Sequence, residues 1–459
     1  MKTYAIILAA GKGTRMKTSL PKCAYPLLKK PMIEYILDSL DESNIQSKIA
    51  VIGHQREVFE DLIGSRVEFC IQEEQLGTGH AVMCCRDVCK DGRSLILCGD
   101  TPLVDSKIIS TLIKSHEENN NDFTIGTIIL DNPYGYGRIV RNDLGEVLCI
   151  TEEKDASDSV KKIKEINTGL FLINNDILFE ALSKVDNNNA KNEYYLTDIV
   201  KILAKKVKIG TVTIEDEYKL MGINDLYTLS LVEKRLRKEI NKAHMLNGVN
   251  IVNEDSVLIS KDVCIKEGTI IYPNTIITGN THIGKNCIIG PNTELHNATL
   301  LDDCKCVHSV VYDSKILKSA TVGPFAHLRM NSTIGENDRI GNFVEVKNST
   351  LGTKTNIAHL TYVGDTDCGS HVNFGCGTVT VNYDGLKKYR TTIGDNVFIG
   401  CNTNLIAPIN VESNSYIAAG STITNDVAED SLAIARARQV NKLNYVKEWK
   451  NKRRDNNGK

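Results

Sequence analysis

The sequence predicts two architectures in tandem, an α/β domain followed by an all-β domain of hexapeptide repeats, with a helix between them. Three observations carry this. Short apolar runs alternate with helix-like stretches over residues 1–223, aliphatic residues recur every three or four positions over 224–246, and within 247–459, ahead of a basic tail, the repeat becomes six. In the first segment the runs Tyr4–Leu8, Ile49–Ile52, Leu95–Leu97 and Phe123–Leu130 are continuous rather than alternating. Such strands belong to a parallel sheet covered on both faces, the arrangement of nucleotide-type α/β domains. In the second, Leu226, Leu229, Val232, Leu236, Ile240 and Ala243 form one stripe among charged residues, so this is an amphipathic connector capped by Asn224 or Asp225.

The third segment places Ile259, Ile265, Ile271, Ile277, Ile283, Ile289, Leu295, Leu301 and Val307 on one phase. After a slip the repeat resumes at Val322, Leu328, Ile334, Ile340 and Val346, and again at Ile393, Ile399, Leu405, Val411, Ile417 and Ile423. One inward aliphatic per short strand, with Gly or Asn at the corners, is the signature of a parallel β-helix. Residues 351–392 break the register and carry His, Tyr, Asn and Lys where coils need only filler; NYDGLKKYRTT must loop out. Loops on a rigid solenoid are where sites are built. The tail KEWKNKRRDNNGK is basic and polar, and is expected to be solvated and mobile.

Charge excludes some partners. Lys and Arg number 55 against 57 Asp and Glu, so no global field recruits nucleic acid or an anionic membrane. The opening apolar stretch is too short for a signal peptide or a membrane span, which makes a cytoplasmic location the expectation. The 14 cysteines then read as reduced thiols. Cys304, Cys306 and His308 form a C-x-C-x-H cluster, for which core packing is favoured over metal binding because a fourth ligand is not evident.

The stretch LAAGKGTRM, residues 8–16, follows the first strand. It is neither a Walker A loop nor a dinucleotide fingerprint, since Met16 stands in place of the third glycine. Two glycines and the cations Lys12 and Arg15 suit either a triphosphate cradle or a tight surface turn. LPK adds Lys22, EQLGTGHA adds a glycine turn, and CGDTP sets Asp100 at the end of an apolar strand, where α/β sheets bind ligands. Asp100 is thus a candidate Mg²⁺ ligand, or a helix N-cap before Pro102. In the second half, His359 lies within a register break and Glu345 stands about one coil earlier. An imidazole near neutral pKa is the usual base for deprotonating an amine, and a carboxylate there would fix its tautomer.

The ordered set LAAGKGTRM, LPK, EQLGTGHA, GDTPL, GYGRI, EEKDA, EINTG and NEYYLTDI resembles the sugar-nucleotide pyrophosphorylases. With the hexapeptide half, the chain is similar over nearly its full length to the bacterial enzymes that combine N-acetylglucosamine-1-phosphate uridylyltransferase and glucosamine-1-phosphate N-acetyltransferase activities. The resemblance implies a Rossmann-like nucleotidyltransferase domain, a left-handed parallel β-helix, and a homotrimer with acetyltransferase sites between neighbouring β-helices. It implies that acetyl-CoA acetylates glucosamine 1-phosphate, and that N-acetylglucosamine 1-phosphate then reacts with UTP to give pyrophosphate and the UDP-sugar of cell-wall synthesis.

The resemblance also implies roles. Leu8, Ala9, Ala10, Gly11 and Gly13 line the nucleotide site, Arg15 and Lys22 neutralise phosphate charge, and Gln72, Gly77 and Thr78 read the uracil. Gly137, Glu152 and Asn167 hold the sugar, while Asp100 and Asn224 bind Mg²⁺; one Asn224 oxygen cannot easily serve both as metal ligand and as helix cap. His359 is the general base. Arg329, Lys347, Tyr362 and Asn373 bind the sugar phosphate, and Cys376, Asn382, Tyr383, Cys401, Ala419 and Arg436 contact acetyl-CoA. Cys23 and Ala24 after Lys22, Cys376 and Cys401 depart from the family pattern. Two other readings stay open at this point: a single nucleotidyltransferase such as one making ADP-glucose, with a β-helix serving assembly, and a non-catalytic scaffold.

Overall fold

The computed structural model describes residues 1–456 apart from 12 and 54, so Lys12 of the glycine loop lies outside the described residues. The chain divides into two compact units, Met1–Glu239 and Ile240–Lys459.

The first unit is built on a sheet whose central path runs Ile209–Thr213, Phe123–Ile129, Glu165–Asn174, Arg93–Cys98, Thr3–Leu8, Ser47–Ile52, Glu68–Ile71. The continuous apolar runs have the cause that the sequence implied. Tyr4 and Ile6 enter a core on one face, and Ala5 and Ile7 enter a second core on the other. The expectation of a parallel sheet needs one correction. Glu165–Asn174 runs antiparallel to both of its neighbours, whereas Thr3–Leu8 is parallel to Ser47–Ile52 and Arg93–Cys98. Its direction follows from position: it enters the sheet after the hairpin Arg138–Arg141 and Val147–Thr151 rather than after a crossover helix.

The connector is a helix over Leu226–Leu246. Leu229, Val232 and Leu236 are buried, and Ile240 and Met245 pack against the β-helix core. Asp225 is the cap, accepting from Thr228 N at 2.8 Å.

In the second unit three parallel ladders climb side by side: Ile259 pairs with Ile277, Ile265 with Ile283, and Ile271 with Ile289. Coil corners are turned by residues in the left-handed region, many of them Asn, such as Asn274, Asn286 and Asn292. Register is lost earlier than the six-residue count implies. Leu300, not Leu301, faces the core, and Cys306, not Val307, follows it; Leu301 is 41% exposed. Coils shorten here: corner hydrogen bonds join Asn274 to Asn292 across 18 positions, Asn280 to Asn297 across 17 and Asn297 to Asp313 across 16, so the inward phase moves back a residue. Cys304 and Cys306 are core residues, and the His308 ring packs on Phe325. Residues 382–390 loop out between Val379–Val381 and Thr391–Ile393, closed by a bridge between Tyr383 and Lys388. The basic tail is exposed along its described residues, as expected of a solvated segment, and carries a helix over Tyr445–Asn456. Its Lys, Glu and Arg residues are good helix formers.

Candidate active sites

In the first unit, Leu8 ends the central strand, and Ala9 N donates to Val51 O at 2.9 Å, carrying the chain over the edge of the sheet. Gly13 has φ 58°, and a Cβ there would lie 2.5 Å from Lys22 Cβ, so the loop packs directly on the lysine. Gly13→Ala must therefore displace Lys22; we expect a raised KM for the nucleotide in a pyrophosphate-release assay, with chemistry in the second unit unaffected.

Leu8, Ala10, Gly11, Lys22, Gln72, Gly77, Thr78 and Asp100 line one cavity of about 350 Å³. Gln72 is buried; its amide donates to Gly77 O at 3.0 Å and lies 3.1 Å from His80 Nδ1. Gly77 has φ 113°, and a Cβ would stand 2.6 Å from Tyr194 O, so only glycine admits this approach. Thr78 Oγ1 accepts from Leu196 N at 3.1 Å. Farther along, Gly137 O accepts from Asn167 N at 2.8 Å, and a Cβ on Gly137 would lie 3.3 Å from Glu152 Oε1. The structure thus groups Gly137, Glu152 and Asn167. Burial pushes the Glu152 carboxyl above its usual range, against a hydrogen bond from Thr197 at 3.1 Å.

At the cation-rich end the Lys22 ammonium donates to the Asp100 carboxylate and to Asn224 Oδ1 at 2.7 Å, and Arg15 donates to the same Asn224 oxygen at 2.8 Å. Both double readings from the sequence resolve locally. Asp225 caps the connector, which releases Asn224. Asp105 caps the helix Ser106–Glu118 through Ile108 N at 3.0 Å, so Asp100 is not a cap. Two hard oxygen donors converge on one cationic point, and Gly222, whose Cβ would lie 3.8 Å from both Asp100 carboxylate oxygens, leaves that face open. This donor set fits a magnesium ion.

In the second unit, His359 is exposed on the strand Asn356–Gly364. Its Nδ1 lies 2.9 Å from Asn342 Oδ1. The expectation that Glu345 orients the imidazole is corrected, because register pairs Asn342 with His359 and Glu345 with Tyr362. Glu345 instead accepts from Arg329 at 2.5 and 2.8 Å. Lys347, Tyr362 and Asn382 do converge, on the buried Asp365. Lys347 Nζ is 3.5 Å from its carboxylate, Asn348 donates at 2.5 Å, and Asn382 donates to it while lying 3.4 Å from Tyr362 Oη. Burial would raise the Asp365 carboxyl, but these hydrogen bonds and the Lys347 ammonium hold it below its usual range. Asn373 pairs with Asn356 on the coil that follows His359's strand, Tyr383 stands exposed on the loop with its hydroxyl donating to Gly385 O at 2.7 Å, and Arg436 lies beside Gly420.

Comparison with known proteins matches both halves. The Nucleotidyl transferase family covers residues 4–218, and the Bacterial transferase hexapeptide family covers 263–297 and 390–425. The bifunctional protein GlmU of Acholeplasma laidlawii is 53% identical over 449 residues, 97% of this chain and 98% of that one. The chain belongs to the GlmU family. GlmU of Exiguobacterium sp. is 47% identical over 97% of this chain and 100% of its own length. A crystal structure of UDP-glucose pyrophosphorylase complexed with UDP-glucose aligns over 52% of this chain at 19% identity and a TM-score of 0.44, too distant to bear on the sites.

As a GlmU, the chain carries two activities, uridylyl transfer and acetyl transfer, which sets aside both the single-activity and the scaffold readings. Sequence reasoning missed Asn342 and Asp365. For Asn342 a signal existed: NFVEVKN and NIAHLTYVG align coil on coil, and counting coils rather than hexads puts Asn342 against His359. Asp365 carried no signal beyond being a carboxylate near Lys347.

Proposed function

We propose that His359 deprotonates the amine of glucosamine 1-phosphate in the second unit, and that the first unit then joins N-acetylglucosamine 1-phosphate to UMP from UTP. The observation carrying the first step is the 2.9 Å contact from His359 Nδ1 to Asn342 Oδ1. An amide oxygen only accepts, so Nδ1 bears the proton and Nε2 keeps the lone pair that a base needs. The substrate ammonium gives one proton to Nε2, and the freed amine attacks the thioester carbonyl carbon of acetyl-CoA; the C–S bond breaks, and CoA leaves as a thiolate that takes up the second proton the nitrogen sheds as the amide forms. Arg329, Lys347, Tyr362 and Asn373 hold the sugar phosphate. Cys376, Asn382, Tyr383, Cys401, Ala419 and Arg436 hold acetyl-CoA, and Glu345, paired with Arg329, takes part by placing that guanidinium.

In the first unit a phosphate oxygen of the sugar attacks the α-phosphorus of UTP in line, and pyrophosphate leaves. The nucleophile is already anionic, so the protein supplies positioning and charge cancellation rather than a base. Lys22 and Arg15 face the phosphates from the floor of the glycine loop, Leu8–Gly11 and Gly13. Gln72, Gly77 and Thr78 take the uracil, and Gly137, Glu152 and Asn167 the sugar. Asp100 and Asn224 would hold Mg²⁺, which supplies further charge neutralisation when bound. The two domains, 1–223 and 247–459, are joined by the helix segment 224–246. The enzyme works in the cytoplasm as a homotrimer; the exposed Phe325 and Phe343 rings, stacked at 5.3 Å, support an apolar contact between subunits. Among the described residues no helix is long and apolar enough to cross a membrane.

A paired assay tests both halves at once. Free CoA should appear only with glucosamine 1-phosphate, and pyrophosphate only with UTP, N-acetylglucosamine 1-phosphate and Mg²⁺; equal turnover with ATP and glucose 1-phosphate would refute the assignment. Asn342→Ala is expected to lower kcat for acetyl transfer about tenfold by releasing the tautomer, while KM changes little. A purely structural Asn342 would leave the acidic limb of the pH–rate profile where it was.

A further inference from the structure

The β-helix repeats one corner conformation along the edge that carries His359. The inward residues Ile340, Ile357, Phe374, Ile399 and Ile417 stack coil on coil. Two positions after each stand Asn342, His359, Cys376, Cys401 and Ala419, and the residue following each of these has φ between 44° and 75°. The corners are therefore superposable, and side chains in this column project the same way. The backbones are also tied directly: Gly377 N donates to His359 O at 3.2 Å, Asn402 N to Cys376 O at 2.7 Å, and Gly420 N to Cys401 O at 2.8 Å. How close column neighbours come is seen one step down, where Asn342 and His359 meet at 2.9 Å. Cys376 and Cys401 occupy the next two levels, with His359 beneath Cys376. Strands one coil apart are spaced by about 4.8 Å, inside the Cα separation of roughly 4.4–6.8 Å that a disulfide spans. Cys401 is exposed and Cys376 half-buried, in contrast to the core thiols Cys287, Cys304 and Cys306.

We propose that Cys376 and Cys401 form a dithiol site for a coenzyme A disulfide, the oxidised form of the thiol that acetyl transfer itself releases. The inference rests on the reading of this column as part of the acetyl-CoA groove. The Cys401 thiolate attacks one sulfur of the disulfide, an S–S bond forms to that CoA half, and the other half leaves as a thiolate and takes up the proton Cys401 gave. The Cys376 thiolate, its proton passed to the neighbouring His359, then attacks Cys401 Sγ and expels the second CoA, which takes that proton in turn. Two cysteine thiols are oxidised to one disulfide and one CoA disulfide is reduced to two thiols. The new bond lies across the column next to the base, so acetyl transfer is lost until a thiol reductant reopens it.

The test uses the full-length chain under anaerobic conditions with coenzyme A disulfide as the probe and intact-mass and peptide-mass readouts. Wild type should lose the mass of two hydrogen atoms and give a peptide linking residues 376 and 401. Cys376→Ser should stop at a CoA adduct on Cys401, and Cys401→Ser should give neither product. Acetyl transfer should fall with linkage and return with dithiothreitol while uridylyl transfer holds, and Cys264→Ser, which alters an exposed thiol outside the column, should behave as wild type. Absence of the 376–401 link, or cystine reacting as fast as the CoA disulfide, overturns the proposal. Acetyl transfer by the untreated chain checks the groove independently: a chain that acetylates but does not link refutes the dithiol alone, and a chain that never acetylates refutes the groove.

Discussion

His359→Ala is expected to lower acetyl transfer by about 10²–10⁴-fold, the usual share of a positioned general base, and to leave uridylyl transfer at the wild-type rate. The size of the loss follows from the placement of the ring. It is exposed where a substrate can reach it, and its Nδ1 is committed to Asn342, so Nε2 is the atom left to take a proton. The neighbouring carboxylate does not offer a substitute, because Glu345 is held by the Arg329 guanidinium at 2.5 and 2.8 Å. The selectivity of the loss follows from the two compact units, since His359 belongs to the second and the cavity proposed for the nucleotide to the first. His359→Gln, which keeps bulk and a hydrogen bond to Asn342 without a basic nitrogen, should be as inactive as alanine. Simultaneous loss of both activities in either variant would contradict independent sites.

What the sequence disclosed and what it hid have separate physical causes. The two architectures were legible because burial on both faces of a sheet and a shared core in a stack of coils each impose a period, and Ile6, Ile7, Ile271 and Ile289 obey it. Phase within the β-helix was less legible. Leu301 and Leu300 are both apolar, and only the shortening of a coil decides which faces inward. The antiparallel strand Glu165–Asn174 was hidden for a similar reason, since a strand buried on both faces reads the same in either direction. In the sites, residue types that need a special backbone or a local charge were readable, as with Gly13, Gly77, Lys22 and Asp100. Partnerships across coils were readable only by counting whole coils rather than hexads. Glu345 is chemically the better partner for an imidazole, yet pairing register assigns Asn342, and register is a property of the wound chain. Asn224 shows the converse: its reading as a helix cap disappears once Asp225 takes the Thr228 amide.

Asp100→Ala is expected to lower uridylyl transfer by about 10²–10³-fold, the cost of deleting one preorganised electrostatic group, with acetyl transfer unchanged. This carboxylate and the Asn224 oxygen share the Lys22 ammonium, and Arg15 donates to the same Asn224 oxygen. Lys22 thus touches Asp100 directly and Arg15 joins them through Asn224, so two cations and one carboxylate gather at the mouth of the glycine loop, net positive, where the proposed triphosphate would be received. A triphosphate draws Lys22 and Arg15 toward its oxygens, and the carboxylate then faces the same anions and requires a cation of its own. Removing it spares nucleotide binding more than turnover, since Lys22 and Arg15 remain, and so the loss should fall on kcat. Lys22 also keeps its 2.7 Å bond to Asn224, which argues against collapse of the loop. A melting transition of the first unit within a few degrees of wild type would confirm that the loss is chemical, because acetyl transfer reports only on the second unit. Asp100→Asn, which retains one oxygen donor and loses the charge, should fall between the two and regain activity as Mg²⁺ is raised. Wild-type turnover in Asp100→Ala, or a loss insensitive to Mg²⁺ in Asp100→Asn, would remove the metal role and leave Asp100 as the ion-pair partner of Lys22.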